Sequence, residues 1–351
     1  MEEKLDQKPR FGSDGSRFLA FAAWSLGRLV SISCLSAFGL LATGCGIPSF
    51  LITPVQNTNK LEEKTVSEGK GWGGGKIVII EVEGMLMNMR AGGLLQPTEN
   101  KVSQFTQEME AAAKDPGVKA VVLRVNSPGG TVTASDIMYE TVLRFKKETG
   151  KPVVASLQDV AASGAYYVSC AADKIVAHPT AIVGSIGVIF NTFTIEGTLE
   201  KIGAKSIAIK SGPLKDMGSP FRELDPDSRK VMQGMVDEYY ARFVAVVTSH
   251  RNLKDPGMLK TATDGRVFSG VKAAEIGLAD RTGLLTDALD EAKALAKAPD
   301  AKVILYRRPY GYSGSIYAQD ATPEPRANVL QLSVPGLRDS IPAGFYYMWM
   351  P

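Results

Sequence analysis

From Lys76 onward, short runs of β-branched and apolar residues alternate with stretches whose apolar residues recur at helical spacing, and few architectures accommodate that order. Ile77-Val78-Ile79-Ile80-Glu81-Val82 reads as a strand. Asn100 to Lys114, with Val102, Phe105, Met109 and Ala112 on one face, reads as an amphipathic helix. Asp115-Pro116-Gly117 turns the chain into a strand over Ala120 to Val125. A helix over Thr133 to Thr149 is stopped by Gly150 and Pro152, and Pro152-Val153-Val154-Ala155-Ser156-Leu157 reads as a buried strand. The alternation continues through Ile175 to Ala177, Ile182 to Phe190, Thr194 to Ile202 and Ser206 to Ile209. A long helix over Asp227 to His250 precedes shorter ones over Val271 to Ile276 and Leu284 to Ala296. Repeated strand-helix units predict an α/β domain with extensive parallel pairing.

The segment before that domain differs in kind. Arg10, Arg17 and Arg28 precede an uncharged run from Leu29 to Val55, interrupted by Gly44, Gly46 and Pro48, as in a membrane-targeting segment with its basic end in the cytoplasm. Leu41-Ala42-Thr43-Gly44-Cys45 is similar to a lipoprotein cleavage box, so residues 1–56 read as a signal anchor or a lipoprotein-type signal. Residues 57–75, charged and then glycine-rich, read as a linker, 76–305 as the folded domain and 306–351 as a tail, docked or mobile. That tail ends in Phe345-Tyr346-Tyr347-Met348-Trp349, an aromatic run suited to adding to a sheet edge or lying in a groove. With 40 basic against 37 acidic residues, the net charge of +3 is too small and too mixed for a nucleic-acid partner. Cys34, Cys45 and Cys170 lack metal-ligand spacing, so no metal, cofactor or disulfide framework is expected.

Four stretches bear on chemistry. In Val160-Ala161-Ala162-Ser163-Gly164-Ala165-Tyr166-Tyr167, a serine stands among small residues where a strand's carboxyl end passes into a helix. Ligands meet α/β sheets at such points, and the free N–H groups of a helix start favour negative charge, so Ser163 is a candidate nucleophile. Asn126-Ser127-Pro128-Gly129-Gly130 closes one strand with adjacent glycines, whose unobstructed amides suit an oxyanion hole. Val183-Gly184-Ser185-Ile186-Gly187 sets a second hydroxyl in an apolar strand, where it needs a partner. Ser211-Gly212-Pro213-Leu214-Lys215-Asp216 is a turn-rich loop with one central lysine, and a lysine serves as a base where burial disfavours its charged form.

In this order, Asn126 to Gly130, Ala161 to Tyr167, Gly184 to Gly187 and Lys210 to Asp216 resemble the signal peptide peptidase A family of bacterial serine proteases, over roughly Lys76 to Ala298. The resemblance implies a ClpP/crotonase-type fold and a Ser-Lys dyad, with Ser163 as nucleophile, Lys215 as general base and Ser185 as the hydroxyl that orients the lysine. It further implies an oxyanion hole from Gly129, Gly130 and Gly164. Its substrates would be peptides such as signal-peptide remnants, met at the membrane on the extracytoplasmic side by a ring-like homo-oligomer in which Lys215 can complete a neighbour's site. Ala165 stands where the family usually has a second glycine.

Other readings of the same residues remain. A ClpP-like Ser-His-Asp hydrolase would need His178 as base, since His250, at the end of a long helix, reads as a solvated or capping group. A crotonase-type enzyme would rely on carboxylates, and Asp159 and Asp173 lack a partner at a convincing spacing. Ser67 to Lys70 and Ser269 to Lys272 match Ser-x-x-Lys without the accompanying motifs. A silent peptide-binding scaffold of the same fold would bind peptides without turning them over.

Overall fold

A computed structural model describes residues 61–70, 74–89, 100–253, 255, 257–307 and 344–350. Residues 1–56, expected to be a targeting segment and including Cys45, lie outside the described residues, and among those described no helix is long and apolar enough to cross a membrane.

The central strands are β1 (Glu62–Ser67), β2 (Lys76–Glu83), β3 (Val118–Ser127), β5 (Val153–Ala162), β6 (Lys174–Ala177), β7 (Ile182–Gly184), β9 (Val267–Ser269), β10 (Arg281–Thr282) and β11 (Lys302–Arg307). Among the described residues they form one nine-stranded sheet in the order β1-β11-β2-β3-β5-β6-β10, with β7 on the far half of β5 and β9 on β7. Pairing is parallel from β11 through β10, and antiparallel where β1 covers β11 and β9 covers β7. A second, three-stranded sheet joins β4 (Gly129–Thr131), β12 (Gly344–Met348) and β8 (Ile189–Asn191).

Helices cover both faces, as a parallel sheet requires. Val78, Ile80, Leu123 and Val125 face α1 (Lys101–Lys114) and α2 (Val132–Thr149), whose Phe105, Met109, Met138 and Val142 complete one core. Ile77, Ile79, Val122 and Val154 face the opposite way, against Leu285, Ala288 and Leu289 of α8 (Leu285–Leu295). Between them in sequence lie α3 (Gly164–Ser169), α4 (Glu196–Lys201), α5 (Pro226–His250), α6 (Met258–Ala262) and α7 (Gly270–Ile276). The starts are capped as their sequences dictate: Asn100 accepts from Val102 and Ser103, Thr131 from Ala134, and Asp225 from Ser228.

The mixed α/β expectation holds, with differences at particular elements. Residues expected as linker include β1, which covers the edge of β11 and is itself the edge strand, with the charged side chains such a position favours. The strand expected to end at Leu157 runs on to Ala162, and the one expected over Ile182 to Phe190 breaks at Gly184 (φ 107°) and Ser185 (φ 50°). Ser206 to Ile209 forms no strand; no neighbour pairs with it among the described residues, and Ile207 and Ile209 stand 85% and 100% exposed.

One ionic contact ties α5 to the sheet. Asp280 accepts from the Ile175 amide at 2.8 Å and from Arg251 at 2.8 Å, and the Arg251 side chain is 6% exposed. Burial pushes the Asp280 carboxyl up, but the Ile175 amide and Arg251 outweigh it and hold it below the usual carboxylate range. Its contribution to stability is therefore full above the unfolded-state value and is lost as pH falls through the lower folded one. Asp280→Ala strands the Arg251 guanidinium and should cost about 3 kcal/mol in urea unfolding at neutral pH, with the gap to wild type closing below about pH 4.

Candidate active site

The bend in β5 creates the site. Its first half pairs with β6 and its last residues with β7, so that Ala162 lies opposite Gly184 and the next residues, Ser163 and Ser185, emerge side by side. The Ser163 amide donates to Gly184 C=O at 2.7 Å, and the Ser185 amide to Arg266 C=O at 2.8 Å. Both serines have positive φ, 53° and 50°, in a region that costs a residue with a side chain about 1–3 kcal/mol. Ser163 caps the six-residue α3 without a side-chain cap bond, is 1% exposed, and its Oγ has no hydrogen-bond partner among the described residues. A buried hydroxyl of that kind is rare.

Three glycines crowd the same point. A Cβ on Gly129 would stand 2.7 Å from the Gly164 amide nitrogen and 2.1 Å from Tyr347 O. One on Gly164 would stand 3.2 Å from the Gly130 nitrogen, and one on Gly130 would meet Leu86 O at 1.9 Å. The amides are not equivalent: Gly129 N–H donates to Ser127 Oγ at 3.1 Å, while Leu86 N–H and the Thr131 amide bond along the other edge of β4. That leaves the Gly130 amide facing β12, which pairs Tyr347 with Gly130.

The sequence-level residues thus fall into two groups. Ser163, Ser185, Gly129, Gly130 and Gly164 come together. Lys215 is exposed on its loop, and no hydrogen bond or ion pair joins it to either serine among the described residues. Beside it, Asp216 bonds Lys210 at 2.7 Å and pairs with Arg222 at 3.0 Å; the Lys210 hydrogen bond foremost holds its carboxyl low.

His178 is not brought to Ser163. Its Nδ1 pairs with Thr180 Oγ1 at 2.8 Å, and it lines a polar cavity of about 290 Å³ with Glu83, Arg124, Asn126 and Asp159, which does not include Ser163. His250, half-buried in the last turn of α5, is more than a solvated or capping group: its Nε2 lies 2.7 Å from Tyr139 Oη, and Tyr139 belongs to an aromatic cluster with Tyr167, Phe243 and Tyr347. Sequence reasoning missed that cluster, although Tyr167 sits one helical turn past Ser163 and Phe243 on the apolar stripe of α5. It also missed Ser127, whose Oγ fixes the glycine turn by accepting from Gly129 and donating to Gly84 C=O at 2.6 Å.

Comparison with known proteins places the chain in a family. Residues 145–299 match the family described as peptidase family S49. A relative from Enterococcus faecium that carries the name signal peptide peptidase SppA is 37% identical over 250 residues, covering 71% of this chain and 72% of that one. Protease 4 of Salmonella typhi is 37% identical over 224 residues, 64% of this chain and 35% of that one. The chloroplastic serine protease SPPA of Arabidopsis thaliana is 34% identical over 221 residues, 60% and 32% of the two chains. A mixed α/β scaffold with relatives of this kind defines a serine peptidase. Within that class, the chain belongs to peptidase family S49, the signal peptide peptidase A family.

Burial, then Lys146 and Arg251, pushes the His250 imidazole below its ordinary value, so the folded state holds it neutral where the unfolded chain binds a proton. Thermal stability should therefore fall as pH drops from about 6.5, the unfolded-state value, toward the lower folded one. His250→Asn should remove that part of the pH dependence, read as melting temperature against pH.

Proposed function

We propose that the chain is a membrane-associated endopeptidase of ClpP/crotonase-type fold in which Ser163 attacks peptide carbonyls and Lys215 of a neighbouring copy serves as general base. The observation that carries this reading is the Ser163 hydroxyl: buried, unpartnered among the described residues, and held on a strained turn beside the Gly130 and Gly164 amides. Strain of this kind persists where surrounding structure enforces it, and it clusters at reactive groups.

In this mechanism neutral Lys215 takes the Ser163 proton as Oγ bonds the carbonyl carbon, and the Gly130 and Gly164 amides receive the oxyanion. Gly129 contributes its backbone conformation, because its own amide is engaged by Ser127. The tetrahedral adduct collapses as the leaving amine departs with the lysine's proton, and the neutral Lys215 then takes a proton from water, which attacks the acyl-enzyme; the proton returns to Ser163 Oγ as the acid is released. Ser185, adjacent to Ser163 across the β5–β7 pair, holds the amine in place.

Supply of the base from a second copy is supported by the exposure of the Lys215 loop and of Phe193, Ile202, Ile207 and Ile209 in the chain leading to it, apolar side chains of the sort that partners cover. Docking there would take the ammonium out of water, the condition for a neutral amine. A ring built from such head-to-tail contacts fits a heterologous interface. The targeting segment over 1–56 would tether a peptidase domain spanning 76–305, edged by β1, to the extracytoplasmic side of a bacterial membrane, where signal-peptide remnants are accessible substrates.

With a fluorogenic apolar peptide, Ser163→Ala and Lys215→Ala should each lower kcat at least about ten-thousandfold, while His178→Ala stays near wild type. Co-assembly of the two dead variants should restore turnover, because some sites then hold an intact serine and an intact lysine. Absence of recovery would place both groups in one chain, and loss in His178→Ala would make histidine the base.

A further inference from the structure

Along β2, β3 and β5 the face of the sheet that α8 covers changes character toward the carboxyl ends. Ile77 and Ile79 are followed by Glu81 and Glu83, Val122 by Arg124, and Val154 by Ser156 and Gln158. Alternate residues of a strand share a face, so these polar groups continue the apolar rows on which α8 packs. Past the start of that helix, Glu83, Arg124 and Gln158 line the polar cavity of about 290 Å³ that His178 also borders. The carboxyl ends of adjacent parallel strands are where α/β sheets take their ligands.

The cavity carries charge of both signs. Arg124 is 7% exposed and pairs with Glu81, as Arg307 does at 3.1 Å. Burial, then the Arg307 charge, brings the Arg124 guanidinium down to about 10, so it stays charged at neutral pH and favours an anion beside it. The Glu83 carboxylate, by contrast, has no hydrogen bond or ion pair among the described residues, and Asp159 has only Asn126 Nδ2 at 3.4 Å. Glu81 is the register partner of Arg124, so Glu83 lies one strand and two residues from Arg124, about 8 Å between Cα atoms. An extended dipeptide holds its ammonium and its carboxylate about 7 Å apart.

We propose that this cavity binds dipeptides with both ends free, Glu83 and Asp159 taking the terminal ammonium and Arg124 the terminal carboxylate. Such peptides are what peptide hydrolysis yields, so the ligand belongs to the product class of a peptidase. The site is separate from the nucleophile: the cavity lies on the α8 face, whereas Ala165, Tyr166 and Tyr167, which follow Ser163, pack in the core on the other. The proposal therefore does not depend on the assignment of Ser163.

The test is isothermal titration calorimetry on the full chain with alanyl-alanine, in wild type and in Ser163→Ala, where saturable binding of equal strength is expected. Acetylating the amino end or amidating the carboxyl end removes one charge, and each should weaken binding about tenfold, as loss of a charge-assisted hydrogen bond does. Alanine alone, too short to join the two walls, should lose about as much. Glu83→Gln keeps the shape of the side chain and should weaken alanyl-alanine about tenfold while leaving its acetylated form unchanged. Blocked peptides that bind as tightly as the free one, or no saturation at millimolar peptide, overturn the proposal. So does binding that Ser163→Ala abolishes or that Glu83→Gln leaves intact, which would put the peptide elsewhere.

Discussion

Three backbone segments approach one another around Ser163 more closely than side chains allow, and much of the site depends on that approach. Leu86 passes so near Gly130, and Tyr347 so near Gly129, that a Cβ on either glycine would overlap a carbonyl oxygen. Gly129 also carries a φ of 98°, which L side chains rarely adopt. The glycines let β4 be shared, with Leu86 bonding one edge and Tyr347 the other, so that alternate amides face opposite ways. The single amide aimed at the cleft is a consequence of this sharing. Ser127 completes it by occupying the Gly129 amide, which would otherwise be a buried donor without a partner.

The second dependence is the divided pairing of β5. A strand of uniform register would end with its neighbours; this one gives up β6 after Leu157 and takes β7 from Val160. The register shift between Val125 and Ser127 of β3 accommodates the bend. Because Ser163 and Ser185 leave adjacent parallel strands at the same level, their spacing is set by the sheet rather than by a loop, and an inter-strand distance of about 4.8 Å keeps them neighbours. Precision of this kind comes from rigid elements more readily than from loops.

How much of this could be read in the sequence follows from the range of the forces involved. Helices and central strands were legible because apolar spacing and caps are local: Asn100, Thr131 and Gly150 bound helices where their side chains or φ angles require. That Ser163 and the glycine turn stand at strand ends was legible because the apolar runs that precede them, Val153 to Leu157 and Ala120 to Val125, are local patterns. Sheet edges were not. Glu62–Ser67 is charged and reads as linker until β11 is known to need a partner, and Ser206 to Ile209 reads as a strand until no partner arrives. The aromatic cluster draws on α2, α3, α5 and β12, whose meeting is a tertiary fact that no local pattern contains.

The separation of Ser163 from Lys215 has a consequence for the isolated chain. A seryl hydroxyl in apolar surroundings without a base is a poor nucleophile, whatever its backbone strain, because its proton has nowhere to go. The strained Ser163 backbone is already present in one copy, whereas the Lys215 side chain is exposed, as are Ile207 and Ile209 in the chain before it. Under the proposed mechanism, the interactions that assemble copies are then the same interactions that desolvate the lysine and bring it to the serine. On that mechanism, assembly and activation become one event.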